Sequence, residues 1–193
     1  MPISLSVVSA AASEPVTLTE AKLHLREDGT EQDTHIEGLI TAARELIEGE
    51  TGRVMMAQTV RQYFDDFPED DGTLRLAIYP ARSVSSVNYL DSDGDTTVLA
   101  ASSYRADVVS EPARIDPAYG TSWPETYGVS NGVWVDVAAG YSAIGTVPQG
   151  LKQAILLIVG HWFENREASV PGTMSELPLA VQRLIARWAV YTQ

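Results

Sequence analysis

The chain has 193 residues, no cysteine, 45% hydrophobic and 20% charged residues, which suits one compact domain or one domain with an insertion and excludes a disulfide scaffold or a low-complexity chain. Thirteen basic against 26 acidic residues leave a net charge of −13, which argues against simple electrostatic binding to phosphate backbones or anionic lipid. The acidity is uneven: residues 148–193 carry Lys152, Arg166, Arg183 and Arg187 against Glu164, Glu167 and Glu176, a net of +1, so residues 1–147 carry −14. Such an asymmetry points to two surfaces with different partners.

In chain order, Ile3 to Ala12 ends in small residues, but serines interrupt it and the first basic residue is Lys22. No signal peptide is expected, and residues 1–16 read as an extended arm. Thr17 and Glu20 have the spacing of a capping box and announce a short helix to about Arg26. Ile36, Leu39, Ile40, Ala43, Leu46 and Ile47 fall on one face of a second helix that stops at Gly52. Its acids Glu37, Glu45 and Glu48 read as a solvated face.

From about Val54 to Tyr141 the period changes to two. Leu74, Leu76 and Ile78 alternate with Arg75, Ala77 and Tyr79 before Pro80, and further strands are expected at 59–64, 86–90, 96–99, 104–108 and 133–138. Asp93-Gly94 reads as a hairpin turn, and residues 116–131, around Trp123 and Tyr127, as a long surface loop. Pro148 opens a third helix with the stripe Leu151, Ala154, Ile155, Ile158 and Trp162, made apolar almost all round by Leu156, Leu157 and Val159. Its most apolar stretch, Ala154 to Phe163, is far shorter than the roughly 20 residues a bilayer requires, so no membrane partner is expected. Past Pro171-Gly172, a last helix from near Pro178 carries Val181, Leu184, Ile185 and Trp188. The fold class is therefore α+β: a helical core of two N-terminal and two C-terminal helices (17–53 and 148–193) with an inserted antiparallel β-sheet or small sandwich (54–147), all one domain.

No motif commits the chain to catalysis, a cofactor or a metal. Asp91, Asp93 and Asp95 have the spacing of early EF-hand ligands, but Thr96 stands where that loop needs glycine and Ser102 where it needs a bidentate glutamate. The acids Asp65, Asp66, Glu69, Asp70 and Asp71 read as a solvated inter-strand loop. Gly140 to Gly145 approximates a nucleophile elbow around Ser142, with its second glycine one residue late and the next helix too far on. His24, His35 and His161 each lie on a predicted helix without a second histidine at ligand spacing; His161 with Glu164 is only a two-ligand fragment.

The order of segments is more specific than any motif. Leu18 to Arg26 (LTEAKLHLR), Ile36 to Gly52 ending Glu50-Thr51-Gly52-Arg53, Ser83 to Leu90, Ser122-Trp123-Pro124, Ala139-Gly140-Tyr141 and Val147-Pro148 to Glu167, with its His161-Trp162-Phe163-Glu164-Asn165-Arg166-Glu167, run through nearly the whole chain. In this order they resemble the head-tail connector, or adaptor, family of long-tailed bacteriophages and phage-like gene transfer agents. The resemblance implies a non-enzymatic virion protein, made in the bacterial cytoplasm, that forms a ring, usually dodecameric, on the portal at the capsid vertex. It would bridge the portal and a tail-side neck or tail-terminator protein and form part of the DNA channel without binding DNA specifically.

The resemblance further implies a portal contact near the C-terminus, with Arg183, Arg187, Trp188, Val190 and Tyr191 as candidates; packing in the core is an equal expectation for Trp188. The excess apolar face around Leu156 and Val159, with His161, is the candidate subunit interface. Acidic channel walls would repel the DNA backbone and keep it from sticking, with the near-neutral residues 148–193 forming the portal-facing part. Two rivals stand beside this reading: a small hydrolase or metal-dependent enzyme using the 116–131 loop with Asp116 and Glu125, and an acidic mimic of nucleic acid.

Overall fold

The computed structural model describes residues 4–165 and 179–190. Pro171-Gly172, Pro178 and the candidate Tyr191 lie outside the described residues. The described residues divide into two compact units: a β unit of residues 4–11 and 57–140, and a helical unit of residues 12–56, 141–165 and 179–190.

In the β unit, β1 (Ser4–Ser9), β2 (Gln58–Phe64), β4 (Ala81–Leu90), β5 (Thr96–Val98) and β8 (Val133–Ala139) form an antiparallel sheet in the order β1-β2-β8-β4-β5. A second antiparallel sheet orders β3 (Leu74–Leu76), β7 (Ala113–Pro117) and β6 (Tyr104–Asp107) as β3-β7-β6. The central strand β8 shows the period of two most plainly: Val133, Val135, Val137 and Ala139 are fully buried while Trp134, Asp136 and Ala138 are half-buried. The buried Gln62 of β2 faces this apolar side and spends its amide on the backbone through and after β3, donating to Arg75 O at 3.2 Å and accepting from Ala77 N–H at 2.7 Å. β1 turns part of the expected arm into an edge strand, and β7, which follows Pro112 and ends on Pro117, is not among the expected strands.

In the helical unit, α1 (Leu18–Leu25) starts with the expected capping box, and Arg26 ends it in the left-handed region at φ 59°. α2 (Asp33–Thr51) stops at Gly52, whose φ of 67° favours glycine. α3 (Gln149–Glu164) contacts α1, α2 and α4 (Leu179–Ala186). It buries Leu151, Ala154, Ile155, Ile158 and Val159, and at Gly160 an added Cβ would lie 3.3 Å from the His24 ring.

Charged groups fasten these helices. The half-exposed Glu20 closes the capping box with one oxygen and accepts from the buried Lys152 Nζ at 2.6 Å with the other, tying α1 to α3. That hydrogen bond, then the Thr17 backbone, holds the Glu20 carboxyl below its ordinary range. Arg44 bridges Glu14 at 2.7 Å and Glu48 at 2.6 Å, and Glu48 also accepts the Met55 N–H at 2.7 Å. The expected solvated face of α2 therefore holds for exposed Glu37 and Glu45 but not for Glu48.

Two outcomes test this account. Gln62→Leu leaves Arg75 O in β3 and the Ala77 N–H just after it unpaired, and chemical denaturation should show a loss of about 1–3 kcal/mol. Because the Glu20 pKa is lowered on folding, its contribution is present above the unfolded carboxylate value and lost as pH falls through the folded one. The stability gap between the natural protein and Glu20→Gln should therefore shrink below about pH 4, the ordinary glutamate range.

Candidate assembly surfaces

The C-terminal candidates are partly held within the helical unit. Val190 N–H donates to Thr51 O at 2.9 Å and Arg53 Nε to Trp188 O at 2.7 Å, so the segment after α4 lies along the end of α2. The Trp188 ring has the Arg187 guanidinium 4.6 Å and the Arg53 guanidinium 5.7 Å from its centre, both within cation–π range. Its indole N–H is buried with no acceptor among the described residues, and an added Cβ on Gly150 would lie 3.6 Å from it. Trp188 and Val190 are half-buried, whereas Arg183 and Arg187 are exposed. Arg53 was not singled out from sequence, because its partner is 135 residues away.

The α3 candidates separate. Val159 is fully buried, because α1, α2 and α4 pack around α3, so its side chain serves the unit's own core and offers no free face. Leu156 is half-buried and His161 exposed, and with exposed Gln153 and half-buried Leu157 they line the open side of the helix. Trp162 is half-buried, and the Phe163 ring lies 6.2 Å from that of His35.

In the β unit the 116–131 loop is anchored. Trp123 stacks on Phe67 with centroids 4.8 Å apart, donates its indole N–H to Gly72 O at 2.8 Å, and places its backbone N–H 3.0 Å from Asp71 Oδ1. Thr126 donates to Asp66 at 2.8 Å and the Asn131 N–H to Asp65 at 3.0 Å. The acid run read as a solvated loop thus supplies the acceptors that hold a second loop in place. Asp116, the rival's candidate acid, accepts from the Thr73 hydroxyl, and Glu125 is exposed.

The Asp91 carboxylate accepts the N–H groups of Asp93 and Asp95 at 3.1 and 3.0 Å and the Thr97 hydroxyl at 3.0 Å, making a hairpin turn around Gly94. The Thr97 hydroxyl is the first cause of its lowered pKa. Among the described residues, no group of three or more His, Cys, Asp or Glu side chains is placed to hold a metal ion. Ser142 is followed by a 3-10 turn at Ile144–Thr146, and α3 begins only at Gln149, so Ser142 is not presented on a strand-to-helix elbow.

The polar side of the five-stranded sheet carries a connected network. Arg61 donates to both Asp136 oxygens, at 2.6 and 2.9 Å, and lies 5.5 Å from the Trp134 ring centre. The Asp136 hydrogen bond is the chief cause of a raised Arg61 pKa. On the β6–β7 hairpin, the Asp107 carboxyl is held down to about 2, first by the Ser110 hydroxyl. No helix among the described residues is long and apolar enough to cross a membrane.

Arg53→Ala removes the hydrogen bond that fastens Trp188. We expect faster amide exchange at Val190 and a stability loss of about 1–2 kcal/mol; unchanged exchange would show that this arginine does not secure the segment.

Comparison with known proteins places the chain. It is similar over 98% of its length to a chain in the neck of an empty gene transfer agent (GTA) particle computed with C6 symmetry, with 24% identity, 97% of that chain covered and a TM-score of 0.79. A chain of the virion of a native GTA particle matches at 24% identity with 98% and 96% coverage and a TM-score of 0.77. A chain of the native GTA neck computed with C12 symmetry matches at 24% identity with 98% and 97% coverage and a TM-score of 0.74. These likenesses show a shared α+β fold. No curated protein matches significantly. The model of the head completion protein family matches residues 15–173, both N-terminal helices, the β strands after the first and all of α3, and the chain belongs to that family.

Proposed function

We propose that this protein is a structural head-tail connector, or adaptor, that forms a ring on the portal at the capsid vertex, joins head to tail and forms part of the DNA channel. Membership of the head completion family over residues 15–173 carries this reading. The fold likeness to neck chains, extending over 98% of this chain, supports a place in the particle neck. Those necks were computed with C6 and C12 symmetry, which supports a ring here, and we take the dodecamer as its form. The role is non-enzymatic, and neither the family match nor the fold likeness speaks for the hydrolase.

In this reading exposed Arg183 and Arg187 reach the portal, with Trp188 and Val190 setting their position, and Leu156 and His161 face the neighbouring subunit. Packaged DNA passes without specific binding, since a net charge of −13 on each copy repels the phosphate backbone. A tail-side neck or tail-terminator protein completes the set of partners.

Electron microscopy of the full chain mixed with the portal encoded in the same genome tests the proposal. Rings seated on the portal are expected at concentrations well above micromolar; bare portals would sink the connector reading. The double variant Arg183→Glu, Arg187→Glu should lose portal attachment while its circular dichroism stays that of the natural protein. Undiminished attachment would remove the C-terminal arginines from the contact.

A further inference from the structure

The five-stranded sheet ends in β1 on one side and β5 on the other, and among the described residues no strand pairs with the outer edge of either. β1 reads SLSVVS, with no charge and no proline to guard its unpaired backbone groups. Its register with β2 places Leu5 opposite Gln62 and Val7 opposite Val60, on the face that β8 lines with Val135 and Val137. Those inner residues are at most 5% exposed, yet Leu5 is 49% and Val7 59% exposed. The packed side of the sheet therefore runs out one strand before the sheet does.

We propose that β1 pairs edge to edge with β5 of a second copy, continuing the sheet from subunit to subunit. The proposal rests on the ring reading and names its contact. The occupant follows from topology. A row of unpaired N–H and C=O groups is matched by another strand edge, and this chain carries one at the far end of the same sheet, with Thr96 and Val98 exposed. Four successive antiparallel pairings separate β1 from β5, so the two strands run in the same direction. A copy related by rotation presents its β5 beside β1 in parallel, a heterologous contact of the kind that closes into rings. Pairing of β1 with another β1 about a two-fold axis would be antiparallel and would stop at a dimer.

The natural chain has no cysteine, so every thiol in the test is introduced. Val8→Cys on β1 and Val98→Cys on β5 are combined in the full chain, assembled on the portal and treated with a bis-maleimide of about 8 Å reach. That reach spans neighbouring strands about 4.8 Å apart even when the register is offset by two residues of about 3.3 Å each. The double variant should give a ladder of covalent oligomers beyond the dimer on a denaturing gel, and each single variant none. Rings without a ladder overturn the edge pairing and leave the connector reading intact. A dimer from Val8→Cys alone overturns it in favour of two-fold pairing. Portals left bare by the natural chain remove the connector reading and this contact with it. Independently, Val7→Lys, an edge-guarding charge, should abolish ring formation while the circular dichroism and Tm of the free protein stay unchanged; rings formed as before would overturn the proposal.

Discussion

α3 is apolar on nearly every side, and the helical unit is the chain's answer to that constraint. Two helices from before β2 and one from after β8 pack against it, burying Leu151, Ala154, Ile155, Ile158 and Val159. A single amphipathic partner would leave much of this surface in water, at about 25 cal/mol for each Å² of apolar area. The charged fastenings follow from the same arrangement. Lys152 is buried where α3 meets α1 and therefore needs the Glu20 carboxylate. The segment after α4 is tied back to the end of α2 through Val190 and Arg53.

The β unit solves a different problem with polar groups. Its sheet has one valine-rich side, and Gln62 interrupts it with an amide able to donate and accept at once, which satisfies one backbone group within β3 and one just after it. The acids around Pro68 do similar work for the long loop. Asp65, Asp66 and Asp71 each accept a hydrogen bond from it, and Phe67 supplies the ring against which Trp123 stacks. A loop held at so many points is a shaped surface that a partner can meet without first ordering it.

This changes the meaning of the acidity. Part of the −13 is internal: Glu14 and Glu48 hold Arg44, Asp136 holds Arg61, and Asp107 closes a hairpin. Exposed acids such as Glu37, Glu45 and Asp93 remain to give the surface its sign. In the proposed connector, that remainder would repel a phosphate backbone, while the internal acids cost little because each is paired or hydrogen-bonded.

Local signals made much of the fold legible. The capping box of Thr17 and Glu20, the stop at Gly52, the periods of α2 and β8 and the Asp91 turn each depend on residues a few positions apart, so the sequence by itself determined these elements and the α+β class. The ordered segments also pointed to the family. Contacts between distant residues were not legible. β1 is a strand because β2, about 55 residues on, pairs with it, and β7 forms despite Pro112 before it and Pro117 at its end because β3 and β6 flank it. Val159 looked like surplus surface until α1, α2 and α4 were seen around its helix. Arg53 looked unremarkable until Trp188 was placed beside it. Periodicity tells which side chains seek burial, whereas only the tertiary structure decides what buries them, because the covering groups come from elsewhere in the chain.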